Sequence, residues 1–213
     1  MQIDPARQPG RDTYMLLTNL VVPRPIAWVT SQSAAGIVNL APFSFFNAVS
    51  GDPPFVVLGI GVRDDGSPKD TCRNIQSKGE FAVNLVTEEL LTAMNISAAD
   101  FPPDESELLA AKQATVPSER IGVPRLARSP VTLECRLERS VQLTERNTLL
   151  VAQVLLFHVA ERFVGPRNRI NGFAPIARLG APSLYCRTTD RFELPRLKYE
   201  EALAQSARLP EDR

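Results

Sequence analysis

The sequence predicts a mainly β fold, an antiparallel barrel with helices at its periphery. Strand-like runs outnumber helical ones, and they follow one another as meanders rather than alternating with helices. That order argues against a doubly wound parallel sheet. The stretch Val131–Leu143 adds a period of two. Val131, Leu133, Cys135, Leu137, Val141 and Leu143 fall on one side, interrupted only by Arg139. Thr132, Glu134, Arg136, Glu138, Ser140 and Gln142 fall on the other, the mark of a long antiparallel strand with one wet face.

The earlier elements read in order. Residues 1–22 form an arm with a helical turn around Tyr14–Asn19. Ile26–Ser31 is a strand, Ser33–Gly36 a turn and Ile37–Leu40 the return strand. Phe55–Val62 is a near-continuous apolar run whose length and β-branching favour a strand buried on both faces. Gly59 and Gly61 inside it imply close approach of another group. Asp70 reads as the N-cap of a helix over Thr71–Lys78, with Gly79 just past its end.

Phe81–Val86 is a strand, Glu88–Ile96 and Glu105–Ala111 are helices, and residues 113–130 are irregular. Leu149–Val159 is apolar on both faces, so it belongs at the centre of the sheet or at a subunit contact. Asn171–Leu179 reads as partly helical, Leu184–Arg187 as a last strand, and 196–208 as a weakly helical tail.

Composition narrows the function classes. Lys+Arg and Asp+Glu balance at 24 each, which gives no footprint for nucleic acid or an anionic membrane. No apolar run approaches the length of a membrane span, and the polar N-terminus lacks a signal-peptide core. Cys72, Cys135 and Cys186 are far apart and form no zinc spacing. They read as reduced thiols of a cytoplasmic protein. No GxGxxG or GxxxxGK[ST] occurs, so a dinucleotide Rossmann site and a P-loop are unsupported.

Two segments suit an anion beside a flat ring. Thr30, Ser31, Asn39, Ser44 and Asn47 fall on a hairpin and the turn after it, with the amides of Ala41, Phe43 and Ser44 nearby. Pro42 has no N–H and only shapes the turn. The competing reading is a hairpin capped by its own Ser and Asn bonds. The second segment is Ser67-Pro68-Lys69-Asp70-Thr71, entering a helix. Its free amides, the Lys69 charge and the Thr71 hydroxyl suit a phosphate. Asp70 opposes this unless it turns away, and the competing reading is a solvated lysine ahead of a helix.

Trp28, Phe43, Phe45 and Phe46 suit either the walls of a ring site or the filling of the barrel. His158, the one histidine, sits on an apolar strand and reads as structural. Arg178-Leu179-Gly180 with Tyr185 reads as a dimer contact in preference to a second anion contact.

Taken together, these segments resemble the flavin reductase-like, FMN-binding split-barrel family, which includes flavoredoxins and the reductase components of two-component monooxygenases. The resemblance rests on Pro23-Arg24-Pro25-Ile26-Ala27-Trp28-Val29-Thr30-Ser31, Asn39-Leu40-Ala41-Pro42-Phe43-Ser44-Phe45-Phe46-Asn47, Lys69-Asp70-Thr71-Cys72-Arg73-Asn74-Ile75, Glu80-Phe81-Ala82-Val83-Asn84-Leu85-Val86 and the late Arg178-Leu179-Gly180 element. It covers about residues 14–195. Two features depart from the family pattern. Ala181 stands where a second glycine is common, and no Gly-Asp-His precedes the strand end at His158.

The resemblance implies one domain over residues 1–213, a six-stranded antiparallel split barrel, and a homodimer with FMN near its interface. Thr30, Ser31, Asn39, Ala41, Ser44, Lys69 and Thr71 would hold phosphate, ribityl chain and ring edge, and Phe43 and Asn47 join them as cofactor-binding candidates. NADH or NADPH would supply hydride, and electrons would pass to a monooxygenase partner, a small acceptor or oxygen. The flavin carries that chemistry, so no catalytic side chain is assigned. The alternative is a flavoredoxin-like FMN electron carrier without a nicotinamide site. Residues 97–130 are a candidate lid.

Overall fold

The chain opens with helix α1 (Gly10–Leu20) and the short strand β1 (Arg24–Pro25). Strands β2 (Ala27–Gln32), β3 (Val38–Phe43), β4 (Phe46–Gly51) and β5 (Pro54–Gly61) follow, then α2 (Asp70–Lys78) and β6 (Glu80–Leu85). An excursion of α3 (Leu91–Ile96), α4 (Glu107–Ala110), β7 (Thr115–Val116) and β8 (Arg125–Leu126) precedes the long hairpin of β9 (Val131–Thr144) and β10 (Asn147–Val159). Strands β11 (Ile176–Arg178) and β12 (Tyr185–Arg187) and helix α5 (Tyr199–Ser206) complete the order. This computed structural model describes residues 1–180 and 182–206; Ala181 and the end of the expected tail helix lie outside the described residues.

Seven strands form one antiparallel sheet in the order β3-β2-β6-β9-β10-β5-β4. β3 and β4 lie at its opposite edges, yet only Ser44 and Phe45 separate them in the chain. Six inter-strand spacings of about 4.8 Å would set the edges of a flat sheet roughly 29 Å apart. A two-residue link reaches only about 10 Å. The sheet is therefore rolled into a barrel. β3 and β4 do not pair with each other, and that gap is the split.

The Phe45 carbonyl, in the link between them, accepts from the Gly59 amide of β5 (2.7 Å). A Cβ on Gly59 would lie 3.1 Å from that of Phe45, so the close approach read from the sequence occurs there.

The strand count differs from six because of β4. Its residues Asn47–Gly51 are exposed, so no apolar alternation announces it. The return strand also runs further than Leu40, through Pro42 to Phe43. Edge position explains this, since a proline on an outermost strand forfeits no ladder bond.

Barrel-facing residues such as Val29, Leu58, Phe81, Val83 and Leu150 pack with Cys72 and Ile75 of α2, which plugs one end. A second apolar layer lies outside the barrel wall. There Trp28, Leu40, Met94, Leu126 and Ile176 pack together under the excursion. Trp28 thus fills neither the barrel nor a ring site. Its Nε1 donates to Ser97 Oγ (2.8 Å), and both residues are buried. Trp28→Phe removes that bond and part of the packed volume. It should cost about 1–3 kcal/mol in urea unfolding; a change below about 0.5 kcal/mol would refute this role.

Two readings need correction. Residues 171–179 are not helical; Pro175 disfavours a helix before it, and Ile176–Arg178 pairs with both β1 and β12. The polar side of β9 is not wet throughout, because Thr132 and Glu134 are fully buried. The strand becomes exposed only from Arg136, after which β6 no longer pairs with it. β10 sits between β9 and β5, the central position expected for it.

Candidate functional site

β3 places Asn39, Ala41 and Phe43 on one side, as alternation along a strand requires. The N-terminus of α2 faces them. Asn39, Ala41, Phe43, Arg63, Lys69 and Thr71 line a cavity whose far wall is Ser97–Phe101 and Glu107. Past Pro42, Phe43 and Ala98 it adjoins a second cavity of about 200 Å³, lined by Tyr14, Arg24, Ser44, Met94, Arg178 and Tyr185. The two make one cleft along the edge strand.

Lys69, not Asp70, is the N-cap of α2; its backbone is extended and no side chain caps the helix. The first-turn amides and the positive end of the helix dipole therefore lack a side-chain acceptor from the cap. Asp70, the first helical residue, directs its carboxylate to Arg63 and Arg73. That resolves the like-charge objection to an anion here. Lys69 is half-buried and, among the described residues, forms no ion pair.

A buried polar chain backs this end of the cleft. Glu107 Oε2 accepts from the Leu40 amide (2.7 Å). The Asn39 amide satisfies its neighbours when its nitrogen donates to Glu107 Oε1 (3.0 Å) and its oxygen accepts from Thr71 Oγ1 (2.8 Å). Burial pushes the Glu107 carboxyl above its usual pKa, and the bond from Leu40 works against that rise. The chain fixes Thr71 at the helix start.

At the other end Arg24 is structural. Its guanidinium donates to the carbonyls of Thr18 (2.5 Å), Val21 (2.6 Å) and Leu179 (2.7 Å), tying α1 and β1 to the segment after β11. Arg178 stacks on Tyr185, with its guanidinium carbon 4.6 Å from the ring centroid. Both line the cleft. A Cβ on Gly180 would fall 1.8 Å from Asn19 Oδ1, so this glycine lets the segment close against α1.

The structure brings Asn39, Ala41, Phe43, Lys69 and Thr71 together, with Ser44 in the adjoining part. Asn47 lies instead in a neighbouring groove with Leu17, Phe45, Phe46 and Val57. Thr30 and Ser31 line neither part of the cleft. Both are fully buried in β2, which β3 and β6 flank. Thr30 Oγ1 accepts from Asn84 Nδ2 (3.5 Å) and Ser31 Oγ from Asn74 Nδ2 (3.2 Å).

Of the candidate lid, residues 97–101 and Glu107 reach the cleft, whereas Ile121 and Val123 pack on Ala82 outside the barrel. Arg63, Tyr14 and Met94 were missed. Arg63 follows a strand in a loop and carries no pattern of its own. His158 Nε2 lies 2.6 Å from the buried Glu134 carboxylate, in keeping with a structural histidine. Among the described residues no group of three His, Cys, Asp or Glu could hold a metal, and no helix is long and apolar enough to cross a membrane.

Fold and cleft together define a split-barrel protein with an anion-ready helix end on its edge strand. The family model described as "Flavin reductase like domain" matches residues 19–205, and the chain belongs to that family. Nitrilotriacetate monooxygenase component B from Bacillus cereus superposes with a TM-score of 0.85 at 40% identity, covering 91% of this chain and 98% of that one. The 2-nitrobenzoate 2-nitroreductase of Pseudomonas fluorescens also gives 0.85, at 33% identity over 93% and 98%. An uncharacterized protein of Halalkalibacterium halodurans is 38% identical over 92% of this chain and 96% of its own length.

Proposed function

We propose that this protein is an FMN-dependent oxidoreductase, a flavin reductase that takes reducing equivalents from NADH or NADPH and passes them to a monooxygenase partner or a small acceptor. The observation that carries this reading is the uncapped N-terminus of α2, with Lys69, which forms no ion pair among the described residues, lining the same cavity as Phe43. FMN joins a phosphate to a flat ring, and the donor set fits both. Lys69 and the first-turn amides of α2, that of Thr71 among them, would hold the phosphate. Asn39, Ala41 and Ser44 would meet the ribityl chain and ring edge, with Phe43 as an apolar wall.

Bound flavin supplies a two-electron acceptor for hydride. The chain supplies orientation and shelter. Glu107 and Asn39 hold Thr71 in place, Asp70 is neutralised by two arginines, and Ala98–Phe101 limit solvent at the phosphate end. Thr30, Ser31 and Asn47 are not part of this assignment, because the cleft does not include them.

The relatives support the breadth of acceptor: one is a monooxygenase component and the other a nitroreductase, each above 30% identity. A homodimer belongs to the same proposal. Phe157, Val164 and Ile170, at 54%, 46% and 46% exposure, rim an apolar groove with Leu133 and Phe173, and a second subunit would cover it. A cytoplasmic location is in keeping with Cys72 and Cys135, which are free and buried.

The test is an anaerobic absorbance titration of the FMN-reconstituted protein with NADH and then NADPH. Loss of the flavin band within seconds is the expected result and identifies the donor. A flavin that binds but stays oxidised with both would overturn the nicotinamide step and favour an electron carrier reduced by another protein.

A further inference from the structure

We propose a second anion site, separate from the cleft, between the β8–β9 connection and the end of β10. A cavity of about 470 Å³ opens there, lined by Arg125, Arg128, His158 and Arg162 together with Ser129, Pro130 and Ala160. None of its residues lines the cleft described above. Three arginines thus line one concavity, the Arg162 guanidinium lying over the Phe163 ring beside it, and among the described residues none of the three forms an ion pair. The other arginines with nearby carboxylates behave differently, as Arg63, Arg73 and Arg187 do with Asp70 and Glu88.

A second observation points to a missing acceptor. The Nε of Arg125 is buried and has no hydrogen-bond partner. An orphaned N–H of a charged group is costly, and native structures seldom keep one without a ligand or water. Arg125 itself lines the cavity, so an anion there would engage this guanidinium.

The nearby carboxylates do not neutralise the site. Glu134 is buried and already engaged by His158 Nε2 and by the amides of Glu119 and Arg120. Glu161 shares a turn with Arg162 but is not among the lining residues. The wall is positive and mostly polar, with Phe157 as its one aromatic edge. Planar guanidinium forks favour clustered anionic oxygens over a lone negative charge. The ligand is therefore a compact polyanion, either a phosphate group or a polycarboxylate.

The test is calorimetric titration of the full chain with inorganic phosphate and, separately, with citrate, at ionic strength held constant with chloride. Three proteins are compared: the parent, Lys69→Ala, and the double substitution Arg128→Ala with Arg162→Ala. Both of those arginines are exposed, so the fold is not at risk. The expected result is saturable binding of at least one probe that survives Lys69→Ala and weakens at least tenfold in the double variant. Which probe binds tells phosphate from polycarboxylate. No saturable binding, or binding that the double variant retains in full, would overturn the proposal. Binding lost only in Lys69→Ala would assign it to the cleft and overturn the proposal as well. FMN affinity should be the same in the double variant and the parent, whichever way the flavin reading falls.

Discussion

Glu134→Ala should lower the unfolding free energy by about 3–5 kcal/mol, the usual cost of removing one partner from a buried charged network. The carboxylate is fully buried on the outward side of β9. It accepts from the amides of Glu119 (2.8 Å) and Arg120 (2.6 Å), and it lies 2.6 Å from His158 Nε2. One side chain thereby fastens the excursion after β7 to the barrel wall and bridges to β10. Truncation leaves two amides and a ring nitrogen without their acceptor. Glu134→Gln keeps one carbonyl oxygen and should lose less.

The same group sets a pH dependence. Burial alone would raise the Glu134 pKa. The bonds from His158, Glu119 and Arg120 override it and hold the carboxyl below its ordinary 4.5. A pKa lower in the folded than in the unfolded state means more protons on the unfolded chain, so stability rises with pH through that window. The contribution is complete above about pH 4.5 and drains away as pH falls through the folded value. Urea midpoints measured from pH 7 down to pH 3 should fall more steeply for the parent than for Glu134→Gln. Parallel curves, or an alanine variant within about 0.5 kcal/mol of the parent at pH 7, would remove Glu134 from this role.

That residue also marks where sequence reading stopped. Alternation along Val131–Leu143 correctly gave the strand and its apolar side. It assigned the other side to water because pattern alone cannot see a later segment folding over it. The excursion covers Thr132 and Glu134, and only from Arg136 does the strand meet solvent. Trp28 is a related case. Period two put it opposite Val29, but the helices that bury it come about sixty residues later, and their packing was not written in β2. β4 went unread for the opposite reason, being an edge strand with mostly exposed residues.

In the cleft, the helix-start segment was legible because its chemistry is local: a lysine, a hydroxyl and free amides at one point. Only the cap was misassigned, since Asp70 found Arg63 and Arg73 instead. The hairpin was half legible. Alternation put Asn39, Ala41 and Phe43 on one side of an edge strand, open to a ligand. Thr30 and Ser31 carry the same kinds of hydroxyl, but β2 has neighbours on both edges and its side chains are consumed inside. The hydroxyls looked equivalent in sequence; strand order decided which remained free.

Lys69→Ala should weaken FMN binding by about 10- to 100-fold while leaving riboflavin binding within about twofold, read by quenching of flavin fluorescence. The contrast follows from where the charge sits. Lys69 caps α2 beside Thr71, half-buried and, among the described residues, without an ion pair. A hydrogen bond from an ammonium to a phosphate oxygen in such a place is worth about 1.5–3 kcal/mol. Riboflavin has the ring and ribityl chain but no phosphate, so it gives Lys69 nothing to hold. Thr71→Val should act in the same direction and more weakly, because it removes only the bond that anchors the helix start to Asn39 and the helix amides remain. The four-way comparison of two flavins and two proteins isolates the phosphate term, as a double-mutant cycle does. A variant that loses both flavins equally would mean that Lys69 supports the fold of the cleft. One that loses neither would move the phosphate away from α2, and with it the orientation of the flavin in this chain.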